Sequence, residues 1–133
     1  MSYHRMEISE IRHTVLVVED ELLIRMCSVA TLQDAGYHVI EAGSSTEALA
    51  ILARPNAIGI LITDVRMPGQ MDGLALVAKV RADRPEIRSV VVSANVSAEE
   101  ACNAGAVGMV VKPFTAETLV RAIRDTGTRD LVA

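Results

Sequence analysis

Three carboxylates, a hydroxyl and an ammonium stand directly after short apolar runs in this chain. Glu19 and Asp20 follow Val15-Leu16-Val17-Val18, and Asp64 follows Ile60-Leu61-Ile62-Thr63. Ser93 follows Val90-Val91-Val92, and Lys112 follows Gly108-Met109-Val110-Val111. Carboxylates packed together repel unless a cation sits among them. Hard oxygen donors with positions open to water and phosphate suit Mg²⁺. With no His or Cys in the set, zinc is disfavoured. A carboxylate can act as a nucleophile and form an acyl phosphate. The transferred phosphoryl group carries negative charge on its equatorial oxygens. Mg²⁺, the Lys112 ammonium and the Ser93 hydroxyl would each meet one of them. Together the five read as a magnesium-dependent aspartyl phosphorylation site with Asp64 as acceptor. Singly, each has a plainer reading: an acid at a helix N-terminus, a turn cap at Asp64, a turn at Ser93, a solvated charge at Lys112. The set acts together only if the fold brings its members to one edge.

The elements that must do this are legible. Apolar runs Val15–Val18, Tyr37–Ala42, Ile58–Thr63, Val90–Val92 and Gly108–Val111 read as strands, the second the least apolar and so at an edge. Between them lie helical patterns. Leu22, Met26 and Val29 recur at helical spacing, and Gly36 closes that helix. Ser44 with Glu47, and Ser97 with Glu100, fit capping boxes. Asp72 caps a helix to about Arg84; Thr115 caps a last one, with Leu119 and Ile123 on one face and Gly127 at its end. Alternating strands and helices imply an α/β fold, a doubly wound parallel sheet with helices on both faces. Residues past the strand ends then share one rim, where such sheets bind ligands.

Composition narrows the class. A chain of 133 residues fits one domain. Half of it is hydrophobic but only Tyr3, Tyr37 and Phe114 are aromatic, so the core is aliphatic. A net charge of −4 offers no basic patch for direct DNA binding. No apolar stretch approaches the ~20 residues of a membrane span. Cys27 and Cys102, far apart, read as reduced core thiols of a cytoplasmic protein. Residues 1–12 read as a flexible arm, 13–127 as the domain and 128–133 as a tail, with no output domain.

The motifs together resemble the response regulator receiver domain of two-component signalling, the CheY-like fold. They are Glu19-Asp20, Asp64 followed by Met67-Pro68 and Asp72-Gly73, Ser93-Ala94, and Lys112-Pro113-Phe114. The resemblance implies five strands in order 2-1-3-4-5, a flavodoxin-like three-layer sandwich. It implies that Asp64 takes a phosphoryl group from phosphohistidine of a sensor histidine kinase or phosphotransfer protein. Asp20 and Asp64 would ligate Mg²⁺ directly with the backbone carbonyl of Arg66, and Glu19 would act through water. It further implies a cis peptide at Lys112-Pro113. Arg66 and Asn95 would flank the pocket and tune attack of water on the acyl phosphate. Arg66 is read either as a partner of Glu19 or phosphate, or as a solvated side chain.

Three departures stand out. The family's switch position, usually Tyr or Phe, is Met109, a flexible side chain that can fill the same gap. The Ser93–Lys112 interval is shorter by about three residues, close to one helical turn, so the fourth helix should be stunted. The Pro68–Asp72 loop reads as one residue longer than common. The expected role is a stand-alone phosphorylation-dependent interaction switch or relay, itself no enzyme beyond supporting its own phosphorylation and dephosphorylation. Its downstream target is open and a homodimer is possible. The alternatives are a phosphorylation-independent binding module and an aspartate-nucleophile phosphatase. The phosphatase would want an acid where Arg66 stands.

Overall fold

The computed structural model describes residues 14–67, 69 and 71–132, with side chains to Thr126. The arm expected over residues 1–12 lies outside these, as do Pro68 and Gln70 of the loop read as extended. The chain alternates strand and helix: β1 (Thr14–Val18), α1 (Leu22–Asp34), β2 (His38–Ala42), α2 (Ser45–Leu52), β3 (Ile60–Asp64), α3 (Gly73–Asp83), β4 (Arg88–Ser93), α4 (Ala98–Ala104), β5 (Gly108–Val111) and α5 (Ala116–Val132). All neighbouring strands are parallel, in the order β2-β1-β3-β4-β5. The expected topology is therefore the one observed.

Strand alternation splits the apolar residues between two faces. Val15, Val17, Ile60, Ile62, Val90, Val92 and Val110 meet Leu32 of α1 and Leu119 and Ile123 of α5. Leu16, Val18, Leu61 and Val91 meet Ala48 of α2, Leu76, Val77 and Val80 of α3, and Ala101 of α4. Each of the Val, Leu and Ile side chains contributes about 1.5–3 kcal/mol on full burial. The two layers clamp the central strands β1, β3 and β4, whose ends carry the candidate site.

Caps set the helix starts. Asp72 accepts from the Ala75 amide (2.9 Å). Thr115 accepts from the Thr118 amide (3.1 Å). Ser97 and Glu100 form both halves of a capping box. At α2 only half of the expected box forms. Ser44 accepts from the Glu47 amide, but the Glu47 carboxylate turns to the Gly43 amide instead. Helix α1 is capped by Ala35 and followed by Gly36 at φ +99°, a left-handed turn that glycine enters without strain. The stunted fourth helix is confirmed at seven residues.

Three expectations need correction. Cys27 and Cys102 are exposed, not core thiols. On α1 the buried side chains are Ser28 and Leu32, while Leu22, Leu23 and Met26 are 57%, 75% and 54% exposed. The N-terminal part of the expected stripe, Leu22 and Met26, therefore faces outward with Cys27 beside it, whereas Val29 packs against the core, because α1 docks through its C-terminal half. Helix α5 does not stop at Gly127 but continues to Val132. A single glycine costs about 1 kcal/mol in a helix, which its neighbours can offset.

Candidate functional site

The site grows out of strand ends. Val18 of β1 pairs with Thr63 of β3, so Glu19 and Asp64 emerge side by side. Both are buried, at 5% and 7% exposure, whereas Asp20 is exposed. Each of the three offers a carboxylate oxygen within 4.8 Å of the others. Opposite oxygens of an octahedral Mg²⁺ shell stand about 4.2 Å apart, so a small inward movement suffices. The donor set fits a hard divalent cation.

Lys112 reaches the same place from β5. Its amide donates to the Ser93 carbonyl (3.0 Å), tying the ends of β4 and β5 together. Its Nζ lies 2.6 Å from Asp64 Oδ2 and 3.8 Å from Glu19 Oε1. The Lys112-Pro113 peptide is cis, as the resemblance implied. Burial alone would lower the Lys112 pKa. The hydrogen bond to Asp64 and the charges of Asp64, Glu19 and Glu21 outweigh it and raise the pKa. Glu19 is pushed up to about 7, chiefly by burial. The charge of Asp64 and a hydrogen bond with Asp20 add to this, against the Glu21 amide and Lys112. Burial thus lets Glu19 keep its proton into the neutral range.

The Ser93 hydroxyl, on a residue 5% exposed, accepts from the amides of Asn95 and Val96 (3.1 Å each). Its own proton remains available to donate. Arg66 is exposed, and among the described residues its guanidinium joins neither Glu19 nor another carboxylate. Its amide approaches Asp64 Oδ1 at 3.4 Å. Asn95 is likewise exposed at the mouth. Met109 lies apart from the acids, half-buried against the α2–α4 layer and in register with Val91.

Some supporting residues were not singled out in the sequence. The Thr63 hydroxyl donates to the Asp64 carbonyl (2.8 Å). Gly73 packs on that backbone so closely that a Cβ would lie 2.0 Å from the Asp64 carbonyl oxygen. The Asp72-Gly73 motif flagged the position but not this reason. Arg25, one turn into a helix read only for its apolar spacing, donates to the Glu19 carbonyl (2.8 Å).

Residues 15–124 match the response regulator receiver domain. The chain belongs to that family. It is 40% identical over 114 residues to the C4-dicarboxylate transport transcriptional regulatory protein DctD of Rhizobium meliloti, covering 84% of this chain and 24% of that protein. It is 36% identical to a chemotaxis protein CheY homolog of Campylobacter jejuni, covering 84% and 89%. Among solved structures, the chemotaxis response regulator CheY4 of Vibrio cholerae superposes with a TM-score of 0.76 at 35% identity, covering 84% of this chain and 96% of that one. The receiver spans only 24% of DctD, 12% of the sensor kinase CckA of Brucella abortus and 54% of PdtaR of Mycobacterium tuberculosis. Receiver domains are phosphoacceptor switches that work with histidine kinases and downstream targets, and the family binds Mg²⁺ at an acidic pocket. Among the described residues no helix is long and apolar enough to cross a membrane.

Proposed function

We propose that Asp64 accepts a phosphoryl group from phosphohistidine on a sensor kinase or phosphotransfer protein. The observation that carries this is Lys112 Nζ at 2.6 Å from Asp64 Oδ2, inside a rim shared with Glu19 and Asp20. A carboxylate oxygen of Asp64 attacks phosphorus. A P–O bond forms, the P–N bond breaks, and its electron pair leaves on the imidazole nitrogen, which takes a proton from solvent. Glu19, Asp20 and Asp64, with the Arg66 carbonyl, would hold Mg²⁺, which supplies neutralisation of the phosphoryl oxygens when bound. Lys112 exchanges part of its contact with Asp64 for a phosphoryl oxygen, and Ser93 donates its free proton to another. Arg66 and Asn95, exposed at the mouth, govern how water reaches the acyl phosphate. The site holds one phosphoryl group rather than turning over a diffusing substrate.

A groove of about 630 Å³ adjoins Lys112, lined among others by Leu23, Ile24, Cys27, Ala94 and Phe114. An apolar helical surface bearing phosphohistidine fits it. Output then depends on a partner that binds the phosphorylated state more tightly. Met109 is the residue through which Ser93 movement would reach the α4 side.

The protein is incubated with Mg²⁺ and a small acyl or amide phosphodonor and weighed intact. The expected result is a gain of one phosphoryl group that is absent in Asp64→Asn. No gain with any donor, alongside intact partner binding, would establish a phosphorylation-independent module instead. Multiple turnover of a phosphoester would establish a phosphatase.

A further inference from the structure

The loop that carries Glu19 and Asp20 is held from both sides by groups outside the acidic cluster. The Glu19 amide donates to the Ala42 carbonyl at the end of β2 (3.1 Å). The Glu19 carbonyl accepts from Arg25 Nη1 (2.8 Å), one turn into α1. The same guanidinium donates through Nε to Glu41 Oε1 on β2 (2.9 Å). Its side chain is only 18% exposed. Gly43 completes the enclosure: a Cβ there would lie 3.2 Å from Arg25 Nη1 and 3.6 Å from Glu47 Oε1. Glu47 in turn accepts from the Gly43 amide. The guanidinium thus spans α1, the β1–α1 loop and the edge strand, using two faces of its planar fork at once.

We infer that Arg25 is a positioning residue for the cation site, fixing the Glu19 peptide so that the Glu19 and Asp20 carboxylates converge with Asp64. The inference rests on the functional reading above. Partners that orient metal-binding groups without touching the ion commonly change affinity by about 10–100-fold when removed. Here the residue held is a main-chain carbonyl, and the edge strand is the anchor. Glu41 faces solvent and shares no contact with the acids; its part is to hold Arg25.

Charge and positioning make opposite predictions. Arg25 is a cation near a cation site, so on charge alone Arg25→Met should tighten Mg²⁺ binding. Positioning requires that it loosen. The double variant Arg25→Met/Glu41→Gln restores the net charge of the parent, so charge alone predicts parental affinity and positioning predicts the affinity of Arg25→Met.

Mg²⁺ is titrated calorimetrically into the parent, Arg25→Met, Arg25→Lys and the double variant, each first shown to melt cooperatively. Phosphorylation by a small phosphodonor is then followed against Mg²⁺ concentration. The expected result is affinity weaker by about tenfold in Arg25→Met and in the double variant. Arg25→Lys, which keeps one donor for the carbonyl, should lie between. The half-saturating Mg²⁺ concentration should shift by the same factor, with the rate at saturating Mg²⁺ within twofold of the parent. Unchanged or tighter binding in Arg25→Met overturns the inference, as does a loss of saturated rate without a shift in half-saturation. If Arg25→Met does not fold, Arg25→Lys and Arg25→Lys/Glu41→Gln take its place: affinity of the double variant equal to Arg25→Lys supports the bridge, and recovery to the parental value contradicts it. A parent that binds no Mg²⁺ overturns the functional reading itself, and this inference with it.

Discussion

Glu19 shows how much a single buried acid can govern. Its folded pKa of about 7 lies above the ordinary 4.5. The folded state therefore holds this proton more tightly than the unfolded chain does. Its stabilising contribution is complete below about pH 4.5 and is lost as pH rises through about 7. Metal-free protein should accordingly lose stability across that window, and Glu19→Gln should flatten the dependence in denaturant titrations at several pH values. A cation in the cluster favours the carboxylate, so Mg²⁺ affinity should climb over the same range. Lys112 acts at the same scale. Lys112→Met removes the one ammonium 2.6 Å from Asp64 and should slow phosphorylation by about a hundredfold at saturating Mg²⁺, measured by intact mass against time. An unaffected rate would show that Lys112 has no part in meeting the phosphoryl charge.

At the scale of elements, most of the framework could be read in advance. The five apolar runs became five strands because parallel strands buried on both faces need uninterrupted aliphatic stretches. Ser97 and Asp72 announced helix starts because their side chains satisfy amides that nothing else reaches. Rim residues were legible for the same reason: each sits at or just past the carboxyl end of a strand. What stayed hidden depended on distance in the chain or on shape. Spacing alone could not say which face of α1 turns inward, since Leu22 and Met26 make as good a stripe as Ser28 and Leu32 make a poor one. Nothing in the sequence around Arg25 signals a bond to the Glu19 carbonyl. The role of Gly73 comes from a close approach to Asp64 that only three dimensions reveal. In α4, which has seven residues, a cap weighs heavily. Ser97→Ala should cost about 1 kcal/mol and increase hydrogen exchange within Ala98–Ala104 before other helices respond. Uniform protection across all helices would contradict so local an effect.

Across the whole molecule, the sheet converts two aliphatic layers into one rigid rim. Leu61, fully buried on the central strand, belongs to the same strand as Asp64. Leu61→Ala should cost about 2–5 kcal/mol in equilibrium unfolding, more than any substitution at the exposed rim positions Arg66 and Asn95. Ligand linkage joins the rim to the fold: Mg²⁺ at a hundred times its dissociation constant should stabilise the protein by about 2.7 kcal/mol, and Asp20→Asn should remove most of that gain. The location of the phosphoryl group bears on all three scales at once. Phosphorylated protein can be trapped with borohydride, which reduces an acyl phosphate at aspartate to homoserine, and the altered residue found by peptide sequencing. Homoserine at position 64 and nowhere else is the expected outcome. Homoserine at Asp20 or another aspartate, the five-carbon alcohol of a reduced glutamate at Glu19, or no reduction in a protein that has gained phosphate would contradict Asp64 as the acceptor.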